Sequence, residues 1–307
     1  MAKHNKVIIR VQGGLGNQLF CYAATRRLAL ANNAELVIDD VTGFARDRLY
    51  NRQYALDKFQ ITARKAAPRE RMEPFERYRR GMAKFIAQRR PFHLRRYVEQ
   101  EGIDFDPRLL EYRVNGTVYL DGLWQSEDYF KDVENVIRND LKIIPPKDKE
   151  NKDMAERIRA SSNAVAVHFR CFESPNSQSA AHNLDKRYYV QAVKEVCAKV
   201  KEHHFFLFSD NPDAARKLLD LPEDSVTAIS HNQGDKNAYA DLWLMSLCKH
   251  FVIANSTFSW WGGWLSRNEH KIVVAPRIVQ SGISSWGFNG LIPKEWIQIK
   301  TAIDECT

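Results

Sequence analysis

Apolar positions along the chain gather into short β-branched or aromatic runs, separated by stretches in which they recur at helical spacing. The runs at 7–11, 35–38, 165–169, 205–208, 251–254 and 272–275 are bounded by polar turns and predict buried strands. Between them, 18–31, 188–200, 213–219 and 241–249 carry apolar residues at i, i+3 and i+4 and predict helices. This alternation is the signature of α/β layering around parallel sheets. Pro145-Pro146 and the charged Lys147-Asp148-Lys149 interrupt it. A boundary is therefore expected near residue 150, with one lobe over 1–150 and a second over 151–307. The stretch from about 60 to 115 shows the weakest periodicity.

Composition narrows the picture. A chain of 307 residues exceeds the usual single core, and 44% hydrophobic with 27% charged residues is ordinary for a folded globular protein. The longest apolar runs fall well short of the roughly 20 residues that cross a bilayer. Met-Ala-Lys-His-Asn-Lys leads straight into the first strand, with no apolar core of a secretory signal, so a cytosolic location is expected. Five cysteines without a Cys-x-x-Cys pair predict reduced thiols. The net charge of +8 is concentrated in residues 64–96, where twelve Arg and Lys face three Glu. Such a block fits nucleic acid or an anionic membrane face, and equally a solvated helical face with i, i+4 pairing.

Three motifs carry candidate chemistry. In the first, a strand runs into Gln12-Gly13-Gly14-Leu15-Gly16-Asn17-Gln18 and then a helix. The glycines at 14 and 16 let a ligand approach the backbone. A dinucleotide fingerprint would need a third glycine where Leu19 stands, which weakens an oxidoreductase reading that Asp39 otherwise supports. In the second, Val165-Ala166-Val167-His168-Phe169-Arg170 places His168 and Arg170 on one face at a strand's carboxyl end. The forked donors of an arginine suit a diphosphate there, although a core histidine and an ion pair of Arg170 with Glu173 would also explain these residues. In the third, a buried strand ends at Asn255, and Ser256, Thr257 and Phe258 open a helix whose hydroxyls and first-turn amides form a phosphate cradle. The following Trp260, Trp261 and Trp264 read as core, with Gly262-Gly263 allowing close helix packing.

Two carboxylates are candidate guanine readers, because a carboxylate accepts from two adjacent nitrogen donors. Asp210, after Ser209 at a strand end, is the better placed; Asp241 serves equally well as a helix cap. Metal ligation has little support. Asp104-Phe105-Asp106 runs directly into Pro107 and reads as a turn, and the neighbouring side chains of His203-His204 diverge on a strand.

Four stretches together resemble bacterial alpha-1,2-fucosyltransferases of glycosyltransferase family 11. They are Gly13-Gly14-Leu15-Gly16-Asn17-Gln18-Leu19-Phe20, Leu123-Trp124-Gln125-Ser126-Glu127-Asp128-Tyr129-Phe130, Phe206-Leu207-Phe208-Ser209-Asp210-Asn211-Pro212, and Asp241-Leu242-Trp243 running on through Asn255-Ser256-Thr257-Phe258-Ser259-Trp260-Trp261. One departure stands out: where the family has His-x-Arg-Arg-Gly-Asp-Tyr, this chain has His168-Phe169-Arg170-Cys171-Phe172-Glu173-Ser174. The resemblance implies a GT-B-like α/β fold, two Rossmann-like lobes with a cleft between them. The second lobe would hold GDP-fucose, and the acceptor would enter from the first. It also implies inverting, metal-independent transfer of L-fucose to O2 of a terminal galactose, with no cofactor beyond the donor.

On this reading Gly14, Gly16, His168, Arg170, Ser209, Asp210, Asn255, Ser256, Thr257 and Phe258 are the expected donor-binding residues. Arg170 stabilises the leaving diphosphate, Glu173 is the candidate general base and Asn17 orients the sugars. The basic block fits a lipid-linked acceptor met at the inner membrane face, as in O-antigen or capsule assembly. A nucleic-acid-binding protein and a transferase for another linkage or GDP-sugar are the alternatives.

Overall fold

The structure, a computed structural model, describes residues 4–48, 50–170, 184–219, 221, 223–277, 286 and 289–301. It divides into two compact units, Met1–Ile144 with Asn289–Leu291, and Pro145–Phe288 with Ile292–Thr307. Each is built on one parallel sheet, the α/β layering that the sequence pattern predicted. Asn289–Leu291 return to the first unit, a crossing that a single boundary does not anticipate. Phe105 N donates to Asn289 O, and Ser126 Oγ to Gly290 O at 2.7 Å.

In the first unit the strands are β1 (Lys6–Arg10), β2 (Glu35–Asp39), β3 (Arg64–Lys65), β4 (Tyr97–Glu99) and β5 (Thr117–Asp121), in the order β3-β2-β1-β5-β4. Helix α1 (Leu15–Ala31) follows β1 and is buried along most of its length, and its buried polar residues Gln18 and Thr25 are hydrogen-bonded to backbone carbonyls. Gly13 sets its entry: φ is +76°, and an added Cβ would lie 2.7 Å from the Asn17 amide nitrogen. The conformational demand of the glycine turn therefore falls on Gly13, ahead of Gly14 and Gly16. Helix α2 (Glu76–Gln88), inside the basic block, lies over the sheet with Ala87 buried against Ile8, Tyr97 and Tyr119. Its cations make no i, i+4 ion pairs among the described residues; Lys84 instead reaches Glu99 of β4 at 2.6 Å. Helix α3 (Glu134–Asp140) completes the unit.

The second unit holds α4 (Lys149–Ala160), β6 (Asn163–Phe169), α5 (Lys186–Lys199), β7 (His203–Ser209), α6 (Pro212–Leu219), β8 (Val226–Ile229), α7 (Ala238–Ser246), β9 (His250–Val252), α8 (Thr257–Leu265), β10 (Val273–Arg277) and β11 (Ile297–Lys300). Strand order is β11-β10-β9-β6-β7-β8, all parallel. β6 is covered on both faces, which is why its sequence is a continuous apolar run. Helix α7 ends at Ser246, short of the expected 249, because Lys249 N already donates to Ala164 O beside β6 and leads into β9.

The tryptophans of α8 are core, as their spacing predicted. Trp260 and Trp261 are fully buried, and Trp260 lies 5.5 Å from the Trp296 ring and 6.3 Å from Trp264. At Gly262 an added Cβ would meet Met245 Sδ at 2.2 Å, so α7 and α8 approach as closely as they do because no side chain intervenes.

Candidate functional site

Each sheet reverses its strand order once, between β1 and β5 in the first unit and between β6 and β9 in the second. Open parallel sheets bind ligands outside the carboxyl ends of the strands at such a reversal. In the second unit that position is occupied by the chain leaving β6, His168 to Arg170, and by the chain leaving β9, Ala254 to Phe258. The candidate residues of the second and third motifs, 85 or more positions apart in sequence, are therefore neighbours at one sheet edge.

Arg170 and Asp210 face each other from β6 and β7, with Nη1 2.8 Å from Oδ2 and both side chains about one-third exposed. The predicted phosphate holder and guanine reader are thus paired with one another. This partially exposed pair orients the guanidinium while leaving it accessible to a ligand. His168 is buried, and its pKa is pushed down to about 3, chiefly by burial and further by Arg170, so the ring is neutral. Its ring lies 5.5 Å from Phe258, and Nδ1 has no hydrogen-bond partner among the described residues. Behind it, Tyr189 of α5 donates to His168 O, and Tyr188 donates to Ile253 O at 2.5 Å. These two tyrosines tie the β6 and β9 exits to one helix; in the sequence they read only as helix-face aromatics.

Ser256 is the N-cap of α8: its Oγ accepts from Phe258 N at 3.3 Å, and Ser259 Oγ donates to Ser256 O at 3.2 Å. Thr257 opens the helix, and the first-turn amides together with the helix dipole make its end electropositive. Ser209 Oγ accepts from Asn211 N at 2.9 Å and shapes the turn that presents Asp210. Glu173 lies outside the described residues.

At the reversal in the first unit, Gln125 Nε2 donates to Asn17 Oδ1 at 2.7 Å, joining the glycine turn after β1 to the segment after β5. Gln18, which helical spacing marks only as part of α1, donates to Gly13 O and Gln53 O and accepts from Ala55 N. Gln100 Oε1 accepts from the amides of Leu123 and Trp124, holding Trp124 at φ +52°. None of these amide roles has a local sequence signal, because each depends on partners distant in the chain. The carboxylates at this edge are structurally engaged. Asp121 accepts from Arg10 and Tyr97, and Asp39 from Thr42 and Tyr119.

Asp104-Phe105-Asp106, read as a turn, is a bend at Asp104 followed by extended Asp106 capping a short 3-10 helix over Pro107–Leu109, with Asp106 accepting from the Arg108 guanidinium and Asp104 from Asn289 N. His203 and His204 turn to different partners, Val200 O and Thr227 Oγ1. Among the described residues no group of three His, Cys, Asp or Glu is arranged to hold a metal, and no helix is long and apolar enough to cross a membrane.

The model for glycosyl transferase family 11 matches residues 6–300, nearly the whole chain. The chain belongs to glycosyltransferase family 11. This family 11 enzyme is 28% identical to an alpha-1,2-colitosyltransferase of Escherichia coli, over 96% of its own length and 99% of that protein's. It is 26% identical to the O-antigen biosynthesis glycosyltransferase WbnK of Escherichia coli, over 87% and 92% of the two chains. Its fold is similar to NodZ alpha-1,6-fucosyltransferase soaked with GDP-fucose, with a TM-score of 0.53, 19% identity, and coverage of 86% and 93%. It is also similar to a FUT1 variant of Arabidopsis thaliana in complex with GDP, with a TM-score of 0.53, 13% identity, and coverage of 88% and 70%.

Asp241, the second guanine-reader candidate, is not the N-cap of α7, a position held by Asn237. It is partly buried in the first turn of that helix and accepts from Asn232 Nδ2 at 2.9 Å; Asn232 in turn bonds Asn151 of α4. Burial pushes its pKa up to about 7. An unfolded aspartate titrates near 3.9, so between about pH 4 and 7 the folded enzyme binds more protons than the unfolded chain, and its stability falls as pH rises through that window. Asp241→Asn should flatten this dependence and raise stability most at pH 8, where the parent's carboxylate is charged. Urea midpoints of both proteins from pH 4.5 to 8 would show it; parallel curves would place the titration elsewhere.

Proposed function

We propose that this family 11 enzyme transfers L-fucose from GDP-fucose to a glycan hydroxyl, O2 of a terminal galactose, with inversion and without a metal ion. The second unit is the donor side and the first the acceptor side. The observation that carries the reading is the convergence of Arg170 and the Ser256-Thr257 helix start on the carboxyl ends of β6 and β9. There a cation and backbone amides meet where a diphosphate would lie. The GDP-bound proteins that share the fold and the alpha-1,2 linkage in the colitosyltransferase's name support it.

In this mechanism the acceptor hydroxyl attacks the anomeric carbon from the face opposite GDP. The bond to the β-phosphate oxygen breaks as the new glycosidic bond forms, turning β into α. Arg170 and the first-turn amides of α8 take up the charge on departing GDP, the task that Mg²⁺ performs in metal-dependent transferases. Neutral His168 offers its unpaired Nδ1 to the donor, and Asp210, with Ser209 shaping its turn, reads the guanine edge. Asn255, Thr257 and Phe258 line the phosphate and sugar. Gly14, Gly16 and Asn17, held by Gln125, present the other substrate, and Glu173 accepts the proton of the incoming hydroxyl.

A second reading comes from the colitosyltransferase relative: a related GDP-deoxysugar as donor. A donor panel in EDTA with GDP-fucose, GDP-colitose, GDP-mannose and UDP-sugars decides between them. GDP-fucose is expected to exceed each other donor by at least about 100-fold in kcat/KM, because a site that hydrogen-bonds a sugar hydroxyl rejects the analogue lacking it. Preference for GDP-colitose would install the second reading, and no measurable GDP affinity would end both.

A further inference from the structure

Helix α2 places its residues the reverse of a core helix. Its sheet-facing side carries Ala83 and Ala87, and a cavity of about 480 Å³ remains between the helix and the wall formed by Ile8, Tyr97 and Tyr119. Its other large apolar residues point the other way: Tyr78, Met82 and Phe85 are 69%, 49% and 57% exposed, as is the N-cap Phe75 at 74%, while Ile86 both lines the cavity and reaches solvent. Spaced i, i+4 and i+7, Tyr78, Met82 and Phe85 form one stripe along the helix, and Phe75 is exposed at its N-cap. Space under the helix would admit larger side chains, so their outward placement does not follow from crowding.

The surroundings of the stripe are cationic. Residues 75–90 contain six Arg and Lys against one Glu. Arg77, Arg79, Arg89 and Arg90 are exposed and have no carboxylate within ion-pair distance among the described residues. The Arg89 guanidinium lies 3.3 Å from the centre of the Phe85 ring, so charge and apolar surface form one patch.

We propose that this face of α2 docks in the interfacial layer of an anionic phospholipid bilayer. Phe75, Tyr78, Met82 and Phe85 enter the acyl boundary, and the flanking arginines meet lipid phosphates. A helix with a bulky apolar stripe bordered by arginines is matched to such a surface by both its contacts, since apolar burial and charge act together there. An acidic protein groove would satisfy the arginines but not so long an aromatic stripe, and a second copy would oppose like charges. The inference concerns only the first unit and holds whichever donor the enzyme uses.

Vesicle flotation of the full chain tests it, with phosphatidylcholine vesicles and with vesicles containing 30% phosphatidylglycerol. Binding is expected only to the second, weakening at least about tenfold between 50 and 500 mM NaCl, since each arginine near the surface contributes roughly fivefold. Met82→Glu/Phe85→Glu should lower partitioning by more than about tenfold while leaving turnover on a soluble acceptor unchanged. Arg77→Gln/Arg79→Gln/Arg89→Gln should remove the salt dependence. Equal binding to both vesicle types, or wild-type partitioning in both variants, would overturn the proposal. So would a dimer at micromolar concentration that Met82→Glu/Phe85→Glu dissociates, which would assign the face to a second copy. The salt series on the unmodified enzyme decides the matter even if a variant fails to fold.

Discussion

Arg170→Ala should lower kcat by about 10²–10³-fold while leaving the melting temperature within a few degrees of the parent. The activity loss follows from removing a preorganised cation aimed at charge that develops only as GDP departs, a contribution of that order in other electrostatic sites. The stability effect is small because the Arg170–Asp210 pair is one-third exposed on both sides, and such pairs contribute roughly 0–1 kcal/mol. Arg170→Lys should recover only part of the rate, since an ammonium keeps the charge and loses the fork. Steady-state kinetics with GDP-fucose, alongside thermal unfolding, separate the two effects. Turnover within about threefold of the parent would remove Arg170 from the phosphate site. The same assay on Glu173→Gln separates the proton acceptor from the phosphate holder: the acidic limb of the pH profile, where a general base is lost to protonation, should vanish only there, and an unchanged profile would discard Glu173.

Trp260→Ala should produce the largest loss of stability, about 3–5 kcal/mol or roughly 10 °C in melting temperature, because the indole is fully buried among three others and little can collapse into its place. The stabilisation conferred by added GDP should persist, since Trp260 lies on the core side of α8 and the cradle is at its first turn. Differential scanning fluorimetry with and without GDP reads both quantities. A melting temperature within about 2 °C of the parent would mean that the tryptophans are not core. Together the two variants divide the segment 255–264 and its partner strand into a part that meets the donor and a part that holds the helix in place.

How much of this was legible beforehand depended on burial and locality. The six predicted strands all formed, because strands covered on both faces must be continuous apolar runs. The missed strands are of two kinds. β3, only Arg64–Lys65 and solvent-exposed, is a strand solely because β2 offers it partners. β4, β5, β8 and β11 are three to five residues long and carry polar positions among the apolar ones, so pairing rather than pattern defines them. Conversely, α2 shows strong amphipathy, yet its apolar stripe points to solvent, which no periodicity can reveal.

The sequence by itself determined the α/β class, the family and the chemical types at the strand exits: an arginine after β6, a carboxylate after β7, hydroxyls opening α8, and a glycine turn after β1. These are local properties, set by residue type and by a spacing of a few positions. Only the tertiary structure decided that β9 lies beside β6, that Arg170 is held by Asp210, that Asn17 is held by Gln125, and that the glycine under conformational demand is Gly13. Those outcomes depend on which strands pair and where the order of the sheet reverses, contacts between segments tens of residues apart whose energies no local pattern records.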